Sequence, residues 1–348
     1  MTKKHNKGHK KINRTICRGE KKNEKDQRVK YVVDLYKDSS LYSTLDMFSP
    51  PAERLSHVIR FELTRGCGYG RCTYCSGYEG MKHEIKTLEE YGDHVNKVFE
   101  RIGKNSDLAR HLRRTFIGGG NALEVGTGML DKVFYYTNKI FKENTGRYPE
   151  RMSVYGRTKD ILDKKEDMKY IERWLDLIYW GVESGSSEVL DYVNKGCTME
   201  EIIKAAEVIN RTNIKTSVMI MPGLGGKKYY NEHIKYTAKV LGKIKPRFIT
   251  FMGINSKESS RYSKIMKLEQ ENGINRPLTD EELVIQMKEI IKRMPVFKTS
   301  VGCFEDKIDK VGHNPVTFDS THIRDNYDKR YLLEDLDREI IYLRKKDY

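Results

Sequence analysis

The stretch "ELTRGCGYGRCTYCSGY", residues 62–78, contains three of the six cysteines of this 348-residue chain. Cys67, Cys72 and Cys75 have the spacing C-x4-C-x2-C, and a tight loop can bring three such thiolates around one face of a metal ion or cluster. A structural zinc site normally needs a fourth protein ligand. His83 is the nearest imidazole, and the sequence has no second C-x-x-C pair. Three ligands and one open position therefore favour a four-iron cluster with one iron free to bind a small molecule.

Around this loop, short β-branched and aromatic segments alternate with segments of helical periodicity. The pattern predicts strands at 57–64, 114–120, 151–157, 175–184, 214–223 and 247–254. It predicts helices at 86–103, 126–145, 159–174, 187–194, 199–212, 229–244 and 278–294, and another in the C-terminal tail. Strands and helices in this order form parallel sheets, either a barrel or a doubly wound sheet. We expect a partial (β/α)6 TIM-type barrel with parallel strands and a C-terminal helical extension.

The unusual local sequences all follow predicted strands. The cysteine loop follows the first strand, and "GGGN", "YGRT", "GVESGS" and "MPGLGG" close the next four. In a parallel barrel the chemistry gathers at the carboxyl ends of the strands. The sequence therefore predicts one site built from successive strand ends.

The cysteine loop resembles that of the radical S-adenosylmethionine (SAM) superfamily, whose usual spacing is C-x3-C-x2-C with an aromatic residue before the last cysteine. Tyr74 in "CTYC" has that aromatic place, and one extra residue separates Cys67 from Cys72. The resemblance extends over residues 57–290. The segment "GVESGSSEVLDYVNKGCTMEEIIKAAEVI" is similar to the branch that includes oxygen-independent coproporphyrinogen oxidase-like and Elp3/MiaB-like proteins.

The resemblance implies two cofactors, a [4Fe-4S] cluster on the three cysteines and SAM. It also implies that SAM is cleaved reductively to a 5′-deoxyadenosyl radical, which takes hydrogen from a substrate. The SAM contacts that it implies are Tyr74, Gly118, Gly119, Gly120, Asn121, Arg157, Glu183, Met221 and Gly223.

Two of these positions have alternative interpretations. The glycines would receive the methionine amino group of SAM. Glu183 would approach the ribose, but Glu183 or a neighbouring serine could instead cap the following helix. Arg157 would pair with the SAM carboxylate, although an arginine at a strand end often forms a surface ion pair. Met221 and Gly223 would lie beside the adenine.

We expect four regions along the chain. Residues 1–30 form a basic arm, 31–56 a lead-in, 57–255 the core barrel, and 256–348 a mostly helical extension on the substrate side. The net charge of +15 comes mainly from the arm, which has 12 Lys and Arg against 3 Asp and Glu. Such an arm could contact RNA or another polyanion by counterion release, or serve solubility alone.

The composition of the chain bears on its cellular location and on membrane association. The mean hydropathy of −0.71 and a charged fraction of 33% describe a chain with a heavily charged surface. We find no apolar run near the length of a membrane span and no secretory signal, so we expect a cytoplasmic protein without membrane association.

Two hypotheses from different classes follow. The first is a radical SAM enzyme that receives electrons from an external donor such as flavodoxin or ferredoxin and acts on a small molecule, a peptide or RNA. The alternative is a zinc-stabilised nucleic-acid-binding protein that uses the basic arm. Metal content distinguishes them, since the first predicts iron with sulfide and the second predicts zinc.

Overall fold

The computed structural model describes residues 31, 34–42, 49–254, 256–295, 299–304 and 329–346. Within these residues the strands form one sheet in the order β2-β1-β3-β4-β5-β6-β7-β8. Their bounds are β1 Val58–Gly66, β2 Glu84–Ile85, β3 Arg114–Gly120, β4 Arg151–Gly156, β5 Leu177–Glu183, β6 Lys215–Ile220, β7 Phe248–Met252 and β8 Ser300–Phe304. The basic arm lies outside the described residues.

All strand pairs are parallel except that of β1 with the two-residue β2. In the described part of the chain β2 and β8 lie at opposite ends of the sheet, so the sheet is open. The predicted α/β fold with parallel strands is therefore confirmed. The six predicted strands are present, and the sequence prediction missed β2 and β8.

The described residues form these α-helices: α1 Leu88–Ile102, α2 Asp107–His111, α3 Thr127–Thr145, α4 Thr158–Asp163, α5 Met168–Ile171, α6 Ser187–Tyr192, α7 Met199–Asn210, α8 Tyr230–Ile244, α9 Arg261–Glu271, α10 Asp280–Arg293 and α11 Lys329–Lys346. The single helix predicted at 159–174 was wrong, because α4 and α5 are separate. The sequence "DKKED" at 163–167 has no apolar side chain to pack against the sheet, so the helix is interrupted there.

Three of these helices begin with the same local sequence, a threonine followed three residues later by a glutamate. The hydroxyls of Thr87, Thr198 and Thr279 each accept the backbone N–H of that glutamate, and its carboxylate accepts the backbone N–H of the threonine. This reciprocal capping box satisfies N–H groups that a helix start leaves without partners. It fixes the starts of α1, α7 and α10 from local sequence.

The sheet buries apolar side chains on both faces. Alternate residues of β1, such as Phe61 and Leu63, join the large core under the helices. Phe116 and Tyr179 on the other face belong to a smaller cluster, with ring centroids 6.0 Å apart. Since the strands are parallel, their carboxyl ends lie at one edge of the sheet.

The free edge of β1 is covered by side chains. The Tyr36 hydroxyl donates to Val58 O at 3.1 Å and accepts from Arg60 N at 2.9 Å. The Tyr42 hydroxyl donates to Arg60 O at 2.8 Å. Two residues of the lead-in thus satisfy backbone groups that an edge strand otherwise leaves open to pairing with other chains.

Candidate functional site

The three cysteines lie in a loop, residues 67–78, that follows β1; we call it the cysteine loop. Cys67 and Cys72 are half-buried and Cys75 is exposed. Several hydrogen bonds attach the loop to the segment after α6, two of them through backbone atoms of the loop. Thr73 N donates to Val193 O at 2.9 Å, and Asn194 Nδ2 donates to Arg71 O at 3.1 Å.

Among the described residues, no group of three or more His, Cys, Asp or Glu side chains is placed to hold a single metal ion. In a [4Fe-4S] cluster each thiolate binds a different iron, so three cluster ligands need not converge on one point. His83, the nearest imidazole in sequence, has its Nε2 3.3 Å from Glu124 Oε1. The imidazole therefore faces a carboxylate.

The glycines at the end of β3 are required by the close approach of β1. A Cβ on Gly119 would lie 2.0 Å from Thr64 O, and one on Gly120 would lie 1.8 Å from Gly66 O. Gly119 also has a φ of +96°, which side chains rarely adopt. A Cβ on Gly118 would meet the Phe116 ring at 2.4 Å. This packing explains the glycines by itself, and their contact with SAM stays a prediction.

Asn121 and Arg157 are connected through one buried carboxylate. Asn121 Nδ2 donates to Asp160 Oδ2 at 2.6 Å, and Arg157 Nη2 lies 2.9 Å from Asp160 Oδ1. Arg157 Nη2 is also 4.0 Å from Glu124 Oε2, and its guanidinium lies 5.4 Å from the centroid of the Tyr69 ring. Arg157 therefore forms an ion pair, but with a buried carboxylate and not at the surface as the alternative interpretation had it.

The electrostatics of this group follow from its burial. Burial raises the pKa of Glu124, and the facing His83 and Arg157 partly offset this increase. Burial alone would lower the pKa of Arg157, but the Asp160 carboxylate outweighs it and raises that pKa. Arg157 therefore stays charged.

Glu183, at the end of β5, forms a buried ion pair with Lys195. Lys195 Nζ lies 3.0 Å from Glu183 Oε1 and donates to the Tyr74 hydroxyl at 3.1 Å. Burial alone would lower the pKa of Lys195, but the Glu183 carboxylate outweighs it and holds this pKa well above its usual value. Lys195 thus connects the end of β5 to the cysteine loop.

The same cation acts on the thiols. Partial desolvation by the surrounding protein raises the pKa of both Cys72 and Cys75, although Cys75 keeps some exposed surface, and the charge of Lys195 opposes this effect at each. A nearby buried cation favours the thiolate form that binds metal.

The backbone at Glu183 is unusual. Its φ is +63°, in the left-handed region that non-glycine residues seldom occupy, and the register of β5 with β6 shifts between Gly181 and Glu183. Strained backbone of this kind concentrates at functional sites. The capping role that the sequence left open between Glu183 and the neighbouring serines belongs to Ser186, whose hydroxyl accepts Val189 N at 3.4 Å.

Met221 and Gly223 follow β6. Met221 is buried in an apolar cluster with Tyr74 and Tyr262. Gly223 has a φ of +81°, and its N–H donates to Gln286 Oε1 at 2.7 Å.

The structure thus brings Tyr74, Glu183 and Met221 together around Lys195 and the cysteine loop. It places the Arg157 guanidinium beside the same loop, near the Tyr69 ring, and connects Asn121 to Arg157 through Asp160. Sequence reasoning missed Lys195, Asp160 and Glu124. The signal for Lys195 was a lysine twelve residues beyond Glu183 in "VNKG", which is too common a pattern to select it.

The residues present fit both implied cofactors. Glu183 Oε2 and Asn121 Oδ1 are buried acceptors without a hydrogen-bond partner among the described residues. Buried polar atoms normally have partners, so such atoms at a site mark where a ligand with hydroxyl or ammonium donors would bind. Three thiols on one loop beside a buried cation suit an anionic iron–sulfur cluster.

The family model of the radical SAM superfamily matches residues 61–240. This match covers more than half of the chain and includes the cysteine loop and every strand end described above. The protein belongs to the radical SAM superfamily. Its cofactors are those of the superfamily, a [4Fe-4S] cluster and SAM.

The chain is also similar to the curated protein heme chaperone HemW of Buchnera aphidicola, with 24% identity over 218 residues. That match covers 61% of this chain and 55% of the relative. The chain therefore spans about half the length of this relative.

Two solved structures are similar at lower identity. One is the radical SAM methyltransferase TsrM from Kitasatospora setae, with 14% identity, a TM-score of 0.47 and coverage of 61% of this chain and 39% of that chain. The other is Elp3 from Methanocaldococcus infernus, with 13% identity, a TM-score of 0.43 and coverage of 71% of this chain and 56% of that chain.

No helix in the described part of the chain has the length and apolar character of a membrane span.

Proposed function

We propose that the protein holds one [4Fe-4S] cluster on Cys67, Cys72 and Cys75 and binds SAM at the carboxyl ends of β3 to β6. When bound, the cluster supplies the electron that cleaves SAM to a 5′-deoxyadenosyl radical, which takes a hydrogen atom from a substrate. The observation that carries this proposal is the set of buried acceptors without partners, Glu183 Oε2 and Asn121 Oδ1, beside the cysteine loop.

The chain's own contribution is to bind and orient. Glu183 would accept a ribose hydroxyl on Oε2 while Lys195 holds Oε1, which leaves one free oxygen in a fixed direction. Fixed geometry of this kind contributes to rate because the reacting groups need no reorganisation. Tyr74, a buried residue of the cysteine loop itself, would exclude water from the site.

The anionic end of SAM needs a cation, and Arg157 is our candidate. Its guanidinium is shared with Asp160 at 2.9 Å, so a SAM carboxylate would compete with that ion pair or use the remaining N–H groups. Backbone groups of Gly118, Gly119 and Gly120 would receive the amino group of SAM. Met221 and Gly223 would contact the adenine.

Partners and substrate belong to the proposal as well. We expect an external one-electron donor such as flavodoxin or ferredoxin, and a substrate that is a small molecule, a peptide or RNA. Residues 1–30 would contact a polyanion, and we place the protein in the cytoplasm without membrane association.

The test is anaerobic reconstitution with iron and sulfide, chemical reduction, and measurement of 5′-deoxyadenosine formed from added SAM. We expect the nucleoside from the wild-type protein and none from Cys72→Ala. Zinc without iron in the purified protein would instead support the zinc-stabilised nucleic-acid-binding alternative and refute the proposal.

Heme binding is a second candidate, favoured by the match to a relative named a heme chaperone. Titration of the protein with heme under anaerobic conditions tests it by absorbance. A saturable spectral shift would support this candidate, and a spectrum equal to that of free heme would refute it.

A further inference from the structure

The turn that follows β6, residues 221–228, is held by residues far away in the chain; we call it the β6 turn. The Gln286 side chain, fully buried, accepts Gly223 N at 2.7 Å. The Tyr262 hydroxyl accepts Gly225 N at 3.2 Å. Both partners come from the extension after β7, which the sequence predicted to lie on the substrate side.

Asn275 and Arg276 complete the contacts of this turn. Asn275 Nδ2 donates to Gly225 O at 3.0 Å, and its Oδ1 accepts Lys228 N at 2.9 Å. Arg276 O accepts Lys227 N at 2.8 Å. Residues 262–286 therefore fix the backbone of a turn that begins directly after β6.

Tyr262 also contacts the cysteine loop. Its backbone N–H donates to Thr73 O at 3.1 Å, between two of the predicted cluster ligands. Its ring is 6% exposed and packs with Tyr74 and Met221 in one apolar cluster. One residue thus joins the cysteine loop through its backbone and the β6 turn through its hydroxyl.

We propose that Tyr262 is a positioning residue that couples the cysteine loop to the β6 turn. The inference rests on the proposed function, in which the loop carries the cluster and the turn lies beside the adenine of SAM. Two loops that share one buried anchor keep their relative position, so the cluster and the nucleoside of SAM would be held at a fixed distance from each other. The extension then contributes to the cofactor site itself and not only to substrate selection.

Tyr262→Phe tests this because it removes the hydroxyl and keeps both the ring and the backbone bond to Thr73. We expect faster amide hydrogen exchange in the β6 turn and also in residues 67–78. In the reconstituted protein we expect SAM to bind about fivefold to tenfold more weakly by calorimetry, the loss that one hydrogen bond predicts.

The matched control is Tyr91→Phe, which removes another buried tyrosine hydroxyl. That hydroxyl lies 2.7 Å from Thr137 Oγ1 and contacts neither loop. We expect wild-type exchange in both segments for this variant. The same changes in Tyr91→Phe would mean a general loosening of the fold and would overturn the coupling.

The remaining outcomes are also decisive. Faster exchange confined to the β6 turn, with unchanged SAM affinity, would show that Tyr262 is a local structural residue only. If the wild-type protein binds no SAM, the proposed function fails, while the exchange of the two segments still decides whether Tyr262 couples them.

Discussion

Replacing Lys195 by methionine would leave the Glu183 carboxylate buried without its cation. The two side chains are 8% and 9% exposed, and Glu183 Oε2 has no hydrogen-bond partner among the described residues. Removing one member of a buried ion pair costs about 3 kcal/mol or more, because the remaining charge stays uncompensated. We therefore expect Lys195→Met to lower the free energy of unfolding by about 3 kcal/mol.

The assay is urea unfolding at pH 7, followed by the fluorescence of Trp180 in a Trp174→Phe background, because the chain has two tryptophans. Trp180 is fully buried on β5, three positions before Glu183, so it reports the strand that carries the ion pair. SAM binding to the reconstituted variant should be lost in parallel, since Glu183 would no longer be fixed.

A double variant separates the ion pair from packing. Glu183→Gln combined with Lys195→Met removes both charges, and we expect it to be about 2 kcal/mol more stable than Lys195→Met alone. If the double variant is instead destabilised, relative to the wild type, by the sum of the two single effects, the two side chains do not interact and our reasoning is refuted.

Three further predictions concern other parts of the molecule. Burial lowers the pKa of His233 to about 3 from its usual 6.5. Between these two pH values the folded protein binds fewer protons than the unfolded chain, so the free energy of unfolding is highest above pH 6.5 and falls as the pH drops toward 3. His233→Leu should reduce that loss by up to about 3 kcal/mol in urea unfolding at pH 4 against pH 7, and an unchanged pH dependence would contradict it. Gly120→Ala should destabilise the folded protein by about 2–3 kcal/mol, because the added Cβ would meet Gly66 O. Gly128→Ala should leave stability unchanged, because nothing lies within 4 Å of its added Cβ. Equal thermal stability of the two variants would contradict this prediction. Removal of residues 1–30 should leave SAM cleavage unchanged and weaken a salt-dependent association with RNA in gel-shift titrations, and equal binding of RNA by the truncated protein would exclude that role.

Local sequence predicted the parts of this structure that depend on local physics. The capping boxes at Thr87, Thr198 and Thr279 lie close to the predicted helix starts, and the six predicted strands are apolar segments with parallel partners. The cysteine loop was recognisable because its three ligands lie within nine residues.

The missed features depend on contacts between distant parts of the chain. Lys195 gains its role only because folding buries it between Glu183 and Tyr74. β8 is a short segment that becomes a strand by pairing with β7. In the sequence, Gln286 is one polar residue of an amphipathic helix. Only the fold shows that its side chain accepts the backbone N–H of Gly223.

The cysteine loop is attached to the segment 193–195 by hydrogen bonds from both sides and by the Lys195–Tyr74 contact. The cysteine motif is therefore not a separable module. A redesign that transplants residues 67–78 into another scaffold would retain the ligand spacing and lose the cation and the backbone partners that orient it. Such a transplant would have to carry residues 193–195 and Glu183 with the loop, on strands spaced as β1 and β5 are here.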